Sequence, residues 1–245
     1  MKQHEAVIKV MEQNGGFATL GYLNQEVLRV PNVEWKTKTP FASIRRIVQD
    51  KRFFFKIKPG LWALKSHKNR LPFEILPTRK VSATEKSYLE HSYYQGLLIE
   101  IGNLKGYETA VPPQDKNKKY LNKTLGEISS IKEFYRFGYE RMMKMAQTID
   151  AVWFNERKMP DSFFEIEHST NIQNSLLKFI ELQDFKTQMY IVADKVRRGE
   201  FQAKLHLSAF QALQKRVNFL SYDKLSDWHT KTYQFVNLEE NLNLV

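Results

Sequence analysis

Two short apolar runs separated by one turn, Ile149-Asp150-Ala151-Val152-Trp153-Phe154 and Phe163-Phe164-Glu165-Ile166-Glu167, carry three acids between them. Their length and their aromatic and β-branched content predict two strands, with residues 155–161 as the turn. Carboxylates are costly in buried strands unless something compensates them. Side chains alternate along a strand, so Glu165 and Glu167 share one face, their Cα atoms ~6.5–7 Å apart, with Phe164 and Ile166 on the other. If the 149–154 run pairs alongside, Asp150 converges on Glu165 across the ladder. Two carboxylates and a backbone carbonyl suit a divalent cation that prefers hard oxygen ligands, such as Mg2+. Such a cation acidifies a bound water and offsets charge on a phosphate. The competing reading is a row of acids on the solvent face of an ordinary strand.

The surrounding pattern predicts helices on both sides of these strands. Ser82 or Thr84 starts a helix over about 85–102, carrying Tyr88, Leu89, Tyr93, Leu97, Leu98 and Ile101. A strand is expected at 107–111, a polar surface stretch at 112–130 and a helix at 131–146. After Glu167, a helix through Leu176, Leu177, Phe179, Ile180 and Leu182 leads to a strand at 189–193. A basic helix over about 197–216 and a strand at 217–222 complete the reading. This order argues for a mixed sheet flanked by helices, an α/β (α+β) class.

Charge separates off the N-terminal part. The formal net charge is +11, and residues 1–70 hold 14 Lys/Arg against 5 Asp/Glu. A small basic module reads as a polyanion-binding surface, with a general solubility charge as its bland alternative. Apolar spacing marks a helix through Val7, Val10 and Met11, stopped by Gly15-Gly16, and a second after Thr19. Thr39-Pro40 opens a third, since proline suits a first helical turn. Residues 52–58, Pro59-Gly60 and residues 61–64 then read as a hairpin. Three helices and a hairpin are the order of a winged helix-turn-helix. In that arrangement Ser43, Arg45 and Arg46 face base edges or phosphates, and Lys36, Lys38, Lys56 and Lys58 meet the backbone of double-stranded DNA. The domains expected are 1–66, a Pro-punctuated basic linker at 67–84, and 85–245.

Two resemblances follow. Residues 1–66, with Thr-Pro before the third helix and a hairpin ending Gly-Leu-Trp-Ala-Leu, resemble the HARE-HTH type of winged helix. Residues 85–222 resemble the PD-(D/E)xK nuclease core: an acid, about fifteen residues, Glu-x-Glu, then a helix. The stretch Phe164-Glu165-Ile166-Glu167-His168-Ser169-Thr170 is similar to a signature of restriction-type members. The resemblance implies a restriction-endonuclease-like domain in which Asp150 and Glu165 hold Mg2+, with Mn2+ as a substitute. Glu167 then takes the position usually held by Lys, as a general base or outer ligand, and Glu90 on the preceding helix is an outer acid. It implies hydrolysis of DNA phosphodiesters, and cutting both strands implies a homodimer, at least on DNA. A Glu cannot supply the positive charge of the usual Lys, so a DNA-binding regulator with an inactive nuclease-like domain is the alternative.

Other chemistries find little support. Neither a Gly-x4-Gly-Lys-Ser/Thr loop nor Gly-x-Gly-x-x-Gly occurs, so no nucleotide cofactor is expected. The six His show no metal-ligand spacing, and cysteine is absent. Lys195, Arg197 and Arg198 either track a DNA backbone or simply start a solvated helix. The absence of cysteine fits a reducing compartment, no apolar run nears membrane-spanning length, and Met1–Glu5 lacks an apolar signal region. The expected location is the cytoplasm, with no membrane partner.

Overall fold

In the computed structural model, described over residues 1–77, 81–168 and 170–242, the chain divides into two compact units. The first comprises Met1–Val81 with Ser226–Val245, and the second Ser82–Leu225.

In the first unit, α1 (Gln3–Gln13) buries Ala6, Val7, Val10 and Met11, the spacing of one helical face. β1 (Phe17–Thr19) follows, and α2 (Leu20–Glu26) is capped by Thr19, whose hydroxyl accepts from the Tyr22 amide at 3.2 Å. α3 (Pro40–Val48) begins on Pro40; Thr39 makes no side-chain cap, and its hydroxyl meets that of Thr37. β2 (Phe54–Lys58) and β3 (Leu61–Leu64) form an antiparallel hairpin, and Gly60 supplies the φ of +78° that its turn needs. β1 pairs with the other edge of β3, giving the order β1-β3-β2. Three residues are too few to show alternation, so β1 has no sequence signature.

The second unit opens with α4 (Ala83–Leu104), capped by Ser82, which accepts from the Glu85 amide at 3.1 Å. Next come β4 (Glu108–Ala110), the short pair β5 (Lys119–Tyr120) and β6 (Lys123–Thr124), α5 (Leu125–Ile128) and α6 (Glu140–Ala146). Then follow β7 (Ala151–Phe154), β8 (Pro160–Glu167), α7 (Ile172–Glu181), β9 (Gln188–Ala193), α8 (Arg198–Leu205) and β10 (Val217–Ser221). α9 (Tyr222–Asn241) begins here and belongs from Ser226 onward to the first unit.

The sheet order is β10-β9-β8-β7-β4. β8, β9 and β10 run parallel, while β7 is antiparallel to both β8 and β4, so the sheet is mixed. One face packs Val152, Phe154, Phe163, Met189 and Ile191 against Leu176 and Phe179 of α7 and Phe201 of α8. On the other face Trp153 lies 4.6 Å from Phe164, centroid to centroid, and donates its indole N–H to the Leu98 carbonyl of α4 at 3.1 Å. α4 also approaches β5 closely: a Cβ on Gly96 would sit 2.0 Å from the Tyr120 ring. The expected mixed sheet flanked by helices is therefore present.

Several elements differ from expectation. The helix expected at 131–146 is confined to α6, because Phe134, Tyr135 and Phe137 instead pack as loop aromatics on Phe154 at 5.2, 5.3 and 5.9 Å. The helix expected at 197–216 stops at Leu205, and a 3-10 turn, Ser208–Leu213, buries Phe210 and Leu213. α9 was not expected. Of the stretch at 67–84, His67 to Arg70 lie in a 3-10 helix and Leu71 and Ile75 are buried, while Thr78, Arg79 and Lys80 lie outside the described residues, as does Ser169. No helix among the described residues is long and apolar enough to cross a membrane.

Candidate active site

β7 and β8 pair with Ala151 opposite Phe164 and Val152 opposite Phe163. One residue further out, this register sets Asp150 beside Glu165, and Asp150 Oδ2 accepts the Ile166 amide at 2.7 Å. The two acids thus meet at the carboxyl end of the parallel strands, where open α/β sheets place their ligands.

Glu165 and Glu167 point to the α7 side and are 3% and 4% exposed. Asn171 caps α7, accepting from the Gln173 amide at 3.0 Å, and the spacing of Ile172, Leu176 and Phe179 turns its apolar face to the sheet. That rotation brings Ser175 and Lys178, one turn apart, onto the acids. Lys178 Nζ donates to both Glu165 oxygens at 2.9 Å and to the Thr148 carbonyl at 3.0 Å. Ser175 Oγ lies 2.9 Å from Glu165 Oε2 and also contacts Glu167, whose other oxygen receives the Thr170 hydroxyl. One hydroxyl carries one proton, so Ser175 serves one carboxylate at a time. Arg197 donates to the backbone carbonyls of Glu167 (3.0 Å) and Thr170 (2.6 Å), fastening the end of β8. With its side chain 15% exposed, Arg197 is a structural tie. Arg198 covers the Phe219 ring at 4.9 Å.

α4 enters from the other side through His91 and Gln95, four residues apart and so on one face. His91 Nε2 lies 3.4 Å from Asp150 Oδ1 and 3.9 Å from Asp115 Oδ2. Gln95 Nε2 donates to Asp115 Oδ2 at 3.0 Å and to the Asp150 carbonyl at 2.5 Å. Lys118 Nζ sits 2.6 Å from Asp115 Oδ1.

The electrostatics follow from burial and these partners. Burial raises the Asp150 carboxyl, but the His91 charge and the Ile166 amide outweigh it and leave it below the ordinary carboxylate value. Burial, then the Asp150 charge, push Glu165 well above that value, against Lys178 and Ser175. Burial lowers Lys178 and His91, yet their acidic partners more than offset it and both end raised.

Asp150, Glu165 and Glu167 are thus gathered in one place. Glu90 is half-buried toward Tyr94, Tyr222 and His168; burial raises both tyrosines and lowers His168, and the Glu90 charge acts upward on all three. His91, Gln95, Asp115, Ser175 and Lys178 carry no assigned role in the sequence reading. The helical spacing of His91 and Gln95, and of Ser175 and Lys178, was a usable signal, but Asp115 sits in a polar stretch with none.

In the first unit, Gln3, Lys36, Thr37, Thr39, Ser43 and Arg46 line an open pocket of about 470 Å³ at the start of α3. Lys38 and Lys56 are exposed and Lys58 is half-buried on β2. Arg45 is exposed and lies 3.4 Å from Asp227 of α9.

Residues 74–242 match the family of the type II restriction enzyme NmeDI C-terminal domain. Over 133 residues, half of this chain, the sequence is 25% identical to the type II restriction enzyme NmeDI of Neisseria meningitidis serogroup C, and the match spans 38% of that protein's length. No solved structure matches. With a family match over more than half its length, the chain belongs to the NmeDI C-terminal domain family and is a restriction-endonuclease-like protein.

Proposed function

We propose that this chain is a metal-dependent DNA endonuclease of type II restriction type. The observation that carries the reading is the convergence of Asp150 and Glu165 at the sheet end, with the Lys178 ammonium on Glu165. Lys178 arrives from α7 and supplies the positive charge that Glu at 167 cannot. The metal fits: buried Glu165 and part-buried Asp150 share a single directly bonded ammonium, at Glu165, and their oxygens are the hard donors Mg2+ takes, with Mn2+ as a substitute. Asp150 and Glu165 would hold it. Such an ion lowers the pKa of a bound water and offsets phosphate charge. Among the chain's own groups, Ile166 N–H fixes the Asp150 carboxylate, and Ser175 and Lys178 orient Glu165. Glu167, tied by Ser175 and Thr170, serves as a positioning residue rather than a free base, and Glu90 as an outer acid.

The finer features belong to the same reading. Residues 1–66 act as a HARE-HTH-type winged helix, with Lys36, Lys38, Ser43, Arg45, Arg46, Lys56 and Lys58 on double-stranded DNA. The nuclease domain begins near residue 85 after the 67–84 linker. Two chains pair on DNA to cut both strands, and the protein works in the cytoplasm.

The test is cleavage of plasmids from methylating and non-methylating hosts with Mg2+ or Mn2+. The wild type should cut, while Asp150→Asn and Glu165→Gln should lose cutting yet retain DNA binding in gel shifts. Full activity in either variant removes the site. No cutting by the wild type under any condition favours the DNA-binding regulator, for which Glu at 167 is the specific argument.

A further inference from the structure

His91, Asp115 and Asp150 come from three separate segments, α4, the turn Pro113–Asp115 and the residue before β7, yet their ligand atoms all lie within 4.8 Å of one another. The two distances to His91 Nε2, 3.4 and 3.9 Å, are long for a charged hydrogen bond. They suit atoms sharing a third party. For metal–ligand bonds of about 2.1 Å, neighbouring ligands stand roughly 3.0–3.4 Å apart and opposite ones roughly 4.2 Å.

The groups behind these atoms are already fixed. Asp150 has its far oxygen on the Ile166 amide at 2.7 Å, and Asp115 its far oxygen on Lys118 at 2.6 Å, so each turns its near oxygen toward His91. Outer contacts of this kind orient ligands in metal sites. A second observation is independent of the carboxylates. Gln95 is fully buried with its amide against Asp115 and the Asp150 carbonyl, and its Oε1 has no hydrogen-bond partner among the described residues; buried His91 Nε2 has none either. A buried polar atom without a partner is expensive unless a ligand satisfies it.

We infer that His91, Asp115 and Asp150 form a cation site with an imidazole ligand, which takes a first-row transition cation such as Mn2+ or Co2+ in preference to Mg2+. Imidazole suits such ions, whereas Mg2+ favours oxygen donors alone. The inference rests on the proposed hydrolytic centre only in that both use Asp150; Glu165 is not among the clustered ligand atoms.

The experiment uses the full chain stripped with chelator and titrated with Mn2+, following the free-ion EPR signal with Mg2+ as competitor. One Mn2+ should bind per chain at least tenfold more tightly than Mg2+, and pulsed EPR should show coupling to an imidazole nitrogen. His91→Gln should abolish that coupling, and His91→Gln and Asp115→Asn should each weaken Mn2+ binding by roughly tenfold or more. The wild-type nitrogen coupling keeps the test decisive if a variant fails to fold. Equal affinity for the two ions, or absent nitrogen coupling, overturns the inference. His91-dependent binding without DNA cleavage would uphold it while the endonuclease reading falls. Cleavage by the wild type together with Mn2+ binding that His91→Gln leaves unchanged would do the reverse.

Discussion

Lys178 carries its positive charge onto a carboxylate that is almost wholly out of water. Removing one member of a buried pair strands the other, so Lys178→Met should cost about 3 kcal/mol in urea unfolding of the metal-free chain. Added divalent cation should restore part of that loss. Glu165 itself makes a pH prediction. Its folded carboxyl titrates well above its unfolded value. Its contribution is therefore fully present below the unfolded pKa and is lost as pH rises through the folded one. Stability measured in chelator across this range should fall for the wild type and stay flatter for Glu165→Gln. Asp150 and Glu165 were legible because acids inside apolar runs are rare and the turn between the runs set their register. Lys178 was not, since it is thirteen residues from Glu165 on a helix whose rotation only packing determines.

At the level of elements, α4 meets β5 through a missing side chain. Gly96→Ala would force the Tyr120 ring aside, and at an overpacked contact this costs about 2 kcal/mol. A lower melting temperature with altered near-UV circular dichroism would register it. The helices with plain signals were legible: α2 after Thr19 and α4 after Ser82 from their caps, α3 from Pro40 in its first turn, and all three from apolar spacing. α9 was not, and its burial explains why. Its inward positions include Ser226, His229, Thr230, Thr232 and Asn237, while Phe235 and Leu238 are exposed. The helical period is there, but polar residues share it with Tyr222, Leu225 and Tyr233, so no continuous apolar stripe appears in the sequence. Residues 131–139 misled in the opposite way: aromatics at helix-like spacing pack on Phe154 without forming a helix.

For the whole molecule, the charge is divided between a basic N-terminal stretch and a nearly balanced remainder. DNA affinity should therefore follow the first unit and cutting the second. Lys36→Ala with Arg46→Ala should weaken DNA binding and lower the slope of log affinity against log salt by about 1.8, as expected for two lost phosphate contacts. Gel shifts at graded salt would measure this, and cleavage of saturated DNA should be unchanged. The candidate centre draws on positions 91, 115, 150, 165, 175 and 178, scattered over much of the second unit. Bringing such distant segments together costs loop-closure entropy that local contacts do not. On the proposed endonuclease function, a ribosome-bound chain that has not yet emerged through α7 would hold the acids without Lys178, and should not cut DNA until that helix has joined the sheet.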